Sequence, residues 1–273
     1  MGLLCSPEIF WLLSGFIFYT VYFDDIQNRK IGFGEYLMLR LSRLYPLHLL
    51  TLISVGIIQF LYIQKTHIPF WYDTQDVKHL IPQLFFVQEW SANFKQSYNI
   101  PAWSVSIEIF VYILFFLVVA SGIARNKNIY LIFACSVFFY SLHILDPFSE
   151  CMVFFFGGNI VAKAFMESRN RNKLFLLSAC ISIVALLALL TQKKFFREAF
   201  DTIILTDLVL LPVAGTLLLT LILGFKKIHT EKLVRLFKNL GDLTYATYML
   251  HYSVIAAIVL FVNAKDITFY DQD

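Results

Sequence analysis

Charge is what this sequence has least of. Asp, Glu, Lys and Arg make up only 15% of its 273 residues, against about a quarter in a soluble globular domain. Hydrophobic residues make up 59%, and the mean hydropathy is +0.69. So little polar surface cannot shield so much apolar surface from water, which excludes a soluble globular chain. The formal net charge of +3 is too small to argue for a nucleic-acid partner. Cysteine is scarce as well. Cys5, Cys135, Cys151 and Cys180 have no metal-ligand spacing, and three lie in apolar runs, so packing is expected rather than a disulfide framework or a metal site. There is no Gly-rich phosphate loop, no zinc-binding histidine pair and no Gly-x-Ser-x-Gly elbow, which removes the common signatures of soluble enzymes. No stretch combines a charged start, a short apolar run and a small-residue cleavage site, so no cleavable signal peptide is expected.

What fills the sequence instead is long apolar runs. Eight are of spanning length, about 17–25 residues: 8–24, 44–63, 102–123, 129–145, 149–166, 174–191, 202–224 and 243–263. The predicted fold class is therefore all-α, a polytopic transmembrane helix bundle. The 29 Phe and 14 Tyr suit lipid-facing and interfacial positions. The long connection 64–101 holds an apolar run at 80–90, too short to span, which reads as an interfacial or re-entrant piece. Loops 25–43, 124–128, 167–173 and 225–239 carry 14 Lys and Arg, and the alternate loops and tail carry 7. The first set is expected in the cytoplasm, with both termini outside. The stretch 225–239 also reads as a surface amphipathic helix with Leu233, Val234, Leu236 and Phe237 towards lipid.

Polar residues inside these runs mark the candidate site, because an ionisable group at membrane depth is expensive. In NIPAWSVSIEIFVYILFF (99–116) the acid Glu108 lies on one helix face with Ser104 and Tyr112, four residues to either side, and Trp103 stands at the mouth of that face. Arg40 and Arg43 lie three apart among leucines. They serve either as topological anchors or as a clamp for phosphate, whose geometry guanidinium matches. Tyr245, Tyr248 and His251 recur every three residues in the last run; His251 is either a packed structural histidine or a proton acceptor. His48 reads as a packed neutral histidine. Glu8 opens the first run, where solvent or the helix dipole accommodates it. Ser14-Gly15 and Gly157-Gly158 read as close helix contacts.

Taken together, FWLLSGF (10–16), RLSRLYP (40–46), QEW with NIPAWSVSIE (88–108) and LGDLTYATYMLH (240–251) resemble, in order, the motifs of the integral-membrane acyltransferases of family 3. The resemblance spans nearly the whole chain. It implies an O-acyltransferase of ten-helix fold that moves an acyl group, usually acetyl from acetyl-CoA, to a hydroxyl of an extracytoplasmic sugar or polysaccharide. On this resemblance Arg40 and Arg43 bind the donor, Glu108 and His251 are catalytic, and Glu8, Trp103, Ser104, Tyr112 and Tyr248 shape the pocket. Acyl-CoA is then a substrate, with no bound cofactor and no metal. The expected partners are the lipid bilayer, acyl-CoA and a carbohydrate acceptor, with no nucleic acid. The expected location is a bacterial inner membrane.

The resemblance also implies that residues 1–273 form one membrane-embedded domain lacking the first and last family helices. The first carries the family's catalytic His, so an inactive chain is one expectation. A non-catalytic remnant and a membrane transporter are the alternatives. A transporter calls for paired broken helices in two repeats, and Pro46 and Gly157-Gly158 do not correspond in that way.

Overall fold

The computed structural model describes residues 7–67, 77–91, 94, 98–123, 128–167, 213–216 and 231–263, with 173, 176, 177 and 180 besides. Among the described residues all regular structure is helical. The α-helices are α1 (Pro7–Gln27), α2 (Phe33–Thr66), α3 (Val77–Leu84), α4 (Ala102–Ala120), α5 (Asn128–Ser141), α6 (Phe148–Glu167) and α7 (Glu231–Asn263), with a 3₁₀ turn at Gln88–Trp90. Among the described residues five stretches are long and apolar enough to cross a membrane: Pro7–Gln27, Phe33–Thr66, Ala102–Ala120, Phe148–Glu167 and Tyr245–Val262. The protein is a multi-pass integral membrane protein.

Three boundaries differ from the hydropathy reading. Helix α2 starts at Phe33 rather than at 44, so both arginines of RLSRLYP stand on the helix. At about 1.5 Å per residue its 34 residues reach roughly 51 Å, well beyond a hydrocarbon core of about 30 Å. The expected amphipathic segment and the last span form one backbone helix, α7. Helix α5 has 14 residues and stops at Ser141, although the apolar run continues. Polar side chains close the turn that follows. The Asp146 carboxylate accepts from His143 Nδ1 and from Ser149 Oγ, while His143 and Leu145 take positive φ. The short apolar run in 64–101 is α3 with the 3₁₀ turn, as expected for a non-spanning piece. The expected spans 174–191 and 202–224 lie outside the described residues but for isolated helical positions.

The chain divides into two compact units, one of Met1–Phe33 with Phe110–Arg235 and one of Gly34–Ile109 with Leu236–Asp273. In the first, α1 and α6 cross at backbone contact. A Cβ on Gly15 would lie 1.9 Å from the Phe155 carbonyl oxygen, and one on Gly158 would lie 2.1 Å from that of Leu12. Glycine at both positions is what lets the helices meet. Phe18 fills the space beside the crossing. Its ring centroid lies 4.1 Å from Tyr112, 5.8 Å from Phe115 and 5.4 Å from Phe155, offset or edge-on as aromatic quadrupoles prefer.

In the second unit α2 and α7 pack side by side. The Tyr245 hydroxyl donates to the Leu44 carbonyl at 3.1 Å. Further along, Val55, Tyr252 and Ala256 form a buried cluster with Ile58, Tyr62, Ile100 and Val259 around it. Residue numbers rise together along both helices, so the two run in the same direction. The first turns of α4 run the opposite way.

Candidate functional site

The second unit holds seven of the nine sequence-expected site residues: Arg40, Arg43, Trp103, Ser104, Glu108, Tyr248 and His251. Glu8 and Tyr112 belong to the first. Arg40 is half-buried and Arg43 exposed on α2, while Glu108 on α4 is only 9% exposed. Tyr245 connects these elements. Its hydroxyl is bound to the Leu44 carbonyl, and its side chain lies within electrostatic range of both the Glu108 carboxylate and the Arg43 guanidinium. One turn along α7, the Tyr248 hydroxyl meets Ser104 Oγ at 3.1 Å.

Because Glu108 is level with Tyr245 and Ser104 with Tyr248, α4 and α7 are antiparallel here, and the polar groups fall into rows. Arg43, Tyr245 and Glu108 form the first row, and Ser104 and Tyr248 the second. His251 follows, six residues beyond Tyr245, or about 9 Å along the axis. Glu108 and His251 therefore stand at different levels and are not one hydrogen-bonded pair of the Ser–His kind. The His251 ring stands 5.7 Å from that of Tyr248, and its Nδ1 donates to the Tyr248 carbonyl. That bond keeps a proton on Nδ1 and leaves Nε2 as the ring atom that can take up or give a proton.

Tyr112 shares α4 with Ser104 and Glu108 but is turned elsewhere. Its hydroxyl donates to Ser14 Oγ at 3.3 Å, and its ring stacks on Phe18. A four-residue step rotates about 40° around a helix, so two steps from Ser104 point it well away. Glu8, in the first turn of α1, is half-buried, with Oε2 shielded from solvent and without a hydrogen-bond donor among the described residues.

Sequence reasoning missed the buried polar frame behind the rows. His48 is fully buried, and its Nε2 donates to the Gln83 carbonyl at 2.7 Å; its ring packs 4.0 Å from that of Phe86. It is packed, as its apolar surroundings suggested. Asn99 Nδ2 donates to Thr51 Oγ1 at 2.8 Å, and Thr51 donates back to the His48 carbonyl at 3.0 Å. Gln88 Nε2 donates to the Ala102 carbonyl at 2.8 Å. Three buried acceptors of this frame, His48 Nδ1, Gln88 Oε1 and Asn99 Oδ1, meet no donor among the described residues. Such atoms are costly in an apolar interior. The only sequence signal for the frame was polar amides set within apolar neighbours. Among the described residues no three His, Cys, Asp or Glu side chains converge as a metal site.

Compared with known families, residues 8–270 match the family model described as an acyltransferase domain. No curated protein and no solved structure matches the chain.

Proposed function

Because the chain belongs to acyltransferase family 3, we propose that it transfers an acyl group, acetyl foremost, from acyl-CoA to a hydroxyl of an extracytoplasmic sugar or polysaccharide, in a bacterial inner membrane. In this reaction the hydroxyl oxygen attacks the thioester carbonyl carbon, the C–S bond breaks, and the departing CoA sulfur takes up the proton that the hydroxyl gives up. A group that holds the proton between the two events lowers the barrier. The observation that carries the reading is the succession of polar rows in the second unit.

Arg40 and Arg43 stand at the donor end, where guanidinium suits the phosphates of CoA. Glu108 is the buried acid beside them. His251 stands towards the acceptor end with Nε2 as its proton-accepting atom. Ser104 and Tyr248 line the interval, with Trp103 near them on α4.

The test is acetyl-CoA binding to the purified chain and to its Arg40→Ala and Arg43→Ala variants. Each substitution is expected to weaken binding about tenfold, the loss of one charge-assisted hydrogen-bonded contact. Equal affinity in all three proteins would remove the phosphate-binding role.

A further inference from the structure

The motif QEW at 88–90 has no part in the proposed reaction, yet it is bonded to the helix that carries the site. Gln88 Nε2 donates to the Ala102 carbonyl at 2.8 Å, Trp90 Nε1 to the Ser106 carbonyl at 3.1 Å, and the Glu89 backbone N–H to Ser106 Oγ at 3.2 Å. Ala102 and Ser106 are one helical turn apart. At about 100° per residue both lie on one side of α4, and Ser104 and Glu108 lie roughly 120–160° round the helix from them. The Gln88–Trp90 turn therefore holds α4 from behind, while Tyr248 meets Ser104 in front.

The helix does not need these bonds for its own integrity. Carbonyl oxygens carry two lone pairs, and the backbone N–H four residues on already occupies one at each position. Gln88 is 1% exposed, and with its NH₂ turned to a carbonyl, its Oε1 is left buried without a donor among the described residues. The turn that presents it is strained as well. Phe86 takes φ +57°, a left-handed conformation that a bulky residue adopts only when its surroundings impose it. Its ring is 1% exposed and packed on His48. A buried amide with an unmet acceptor and a strained turn add little to stability. Their common effect is to fix the rotation and height of α4.

We propose that Gln88, seconded by Trp90, is a positioning residue for acyl transfer, setting Ser104 and Glu108 against α7. This rests on the reading of the α4 face as the site. Gln88→Met keeps the length of the side chain and removes the amide, and Trp90→Phe removes the indole N–H. The reaction can be followed in membrane vesicles containing the whole chain, supplied with labelled acetyl-CoA, as label recovered in alkali-labile polysaccharide esters. Gln88→Met is expected to lower kcat about ten- to hundredfold, the scale of a misplacement approaching 1 Å. KM for acetyl-CoA should stay within about threefold, because the arginines stand on α2 and not on α4. Trp90→Phe should fall between wild type and Gln88→Met. In detergent, amide hydrogen exchange should quicken at 102–109 and not at 148–158 in both variants.

Unchanged kcat in both variants, or a rise in KM that accounts for the whole loss, overturns the positioning role. So does exchange at 102–109 that matches the wild type. A wild-type chain that transfers no label counts against the proposed reaction instead, and the exchange measurement alone then decides whether this turn holds α4.

Discussion

Gly15 of α1 and Gly158 of α6 are reciprocal. A methyl group on either would run into a backbone carbonyl of the other's helix, Phe155 in one case and Leu12 in the other. Backbone oxygens cannot swing aside as side chains do, so relief requires the helices to separate. Phe18, Tyr112, Phe115 and Phe155 pack beside this crossing, so separation would loosen their contacts too.

Gly15→Ala and Gly158→Ala are each expected to lower stability by at least about 1–3 kcal/mol, the range for overpacking a close contact. The double variant should cost less than the two singles together, because one separation relieves both clashes. Gly56→Ala is the control. Among the described residues nothing lies within 4 Å of a Cβ there, so it should leave stability unchanged or raise it by up to about 1 kcal/mol through helix propensity. Thermal unfolding in detergent compares the four proteins, and a Gly15→Ala protein as stable as Gly56→Ala would contradict the crossing.

The contact between Ser104 and Tyr248 can be isolated by a double-mutant cycle. Ser104→Ala and Tyr248→Phe are each expected to cost about 1 kcal/mol, with a coupling of roughly 0.5–1.5 kcal/mol between them. Strictly additive unfolding free energies would mean that the 3.1 Å approach contributes nothing to holding α4 against α7.

The different levels of Glu108 and His251 give a kinetic expectation. His251→Asn keeps a donor for the Tyr248 carbonyl and removes the Nε2 lone pair, while Glu108→Gln removes the acid and keeps the shape. Each is expected to lower kcat for acetyl transfer about 10²–10⁴-fold, the usual worth of a positioned acid or base. Groups acting at separate levels give a double variant whose loss is about the product of the single losses. A double variant no slower than the worse single would mean that the two act as one unit.

The spanning helices were legible because continuous apolar runs of that length have few other uses. The glycine contacts and packed His48 were also readable, since each follows from the local setting of one residue. Helix ends were less so. The run through Leu142, Ile144 and Leu145 is as apolar as the helix before it, and it ends α5 through the Asp146 bonds to His143 and Ser149, which periodicity does not register. Tyr112 joined the Ser104–Glu108 stripe on spacing, yet its hydroxyl reaches Ser14, because four-residue spacing drifts around the helix. The bond from Gln88 to Ala102 spans 14 positions and depends on the turn at Phe86, so no local pattern announces it.

The rows from Tyr245 to His251 also have an electrical meaning. Their span of about 9 Å is close to a third of a hydrocarbon core of about 30 Å. A proton carried from one end of the rows to the other would cross about that fraction of the membrane potential. At 100 mV this amounts to about 0.7 kcal/mol, or roughly threefold in rate. Energising the membrane would thus act directly on any step that moves charge between the rows, favouring one direction of travel, and would leave a step confined to a single row unaffected.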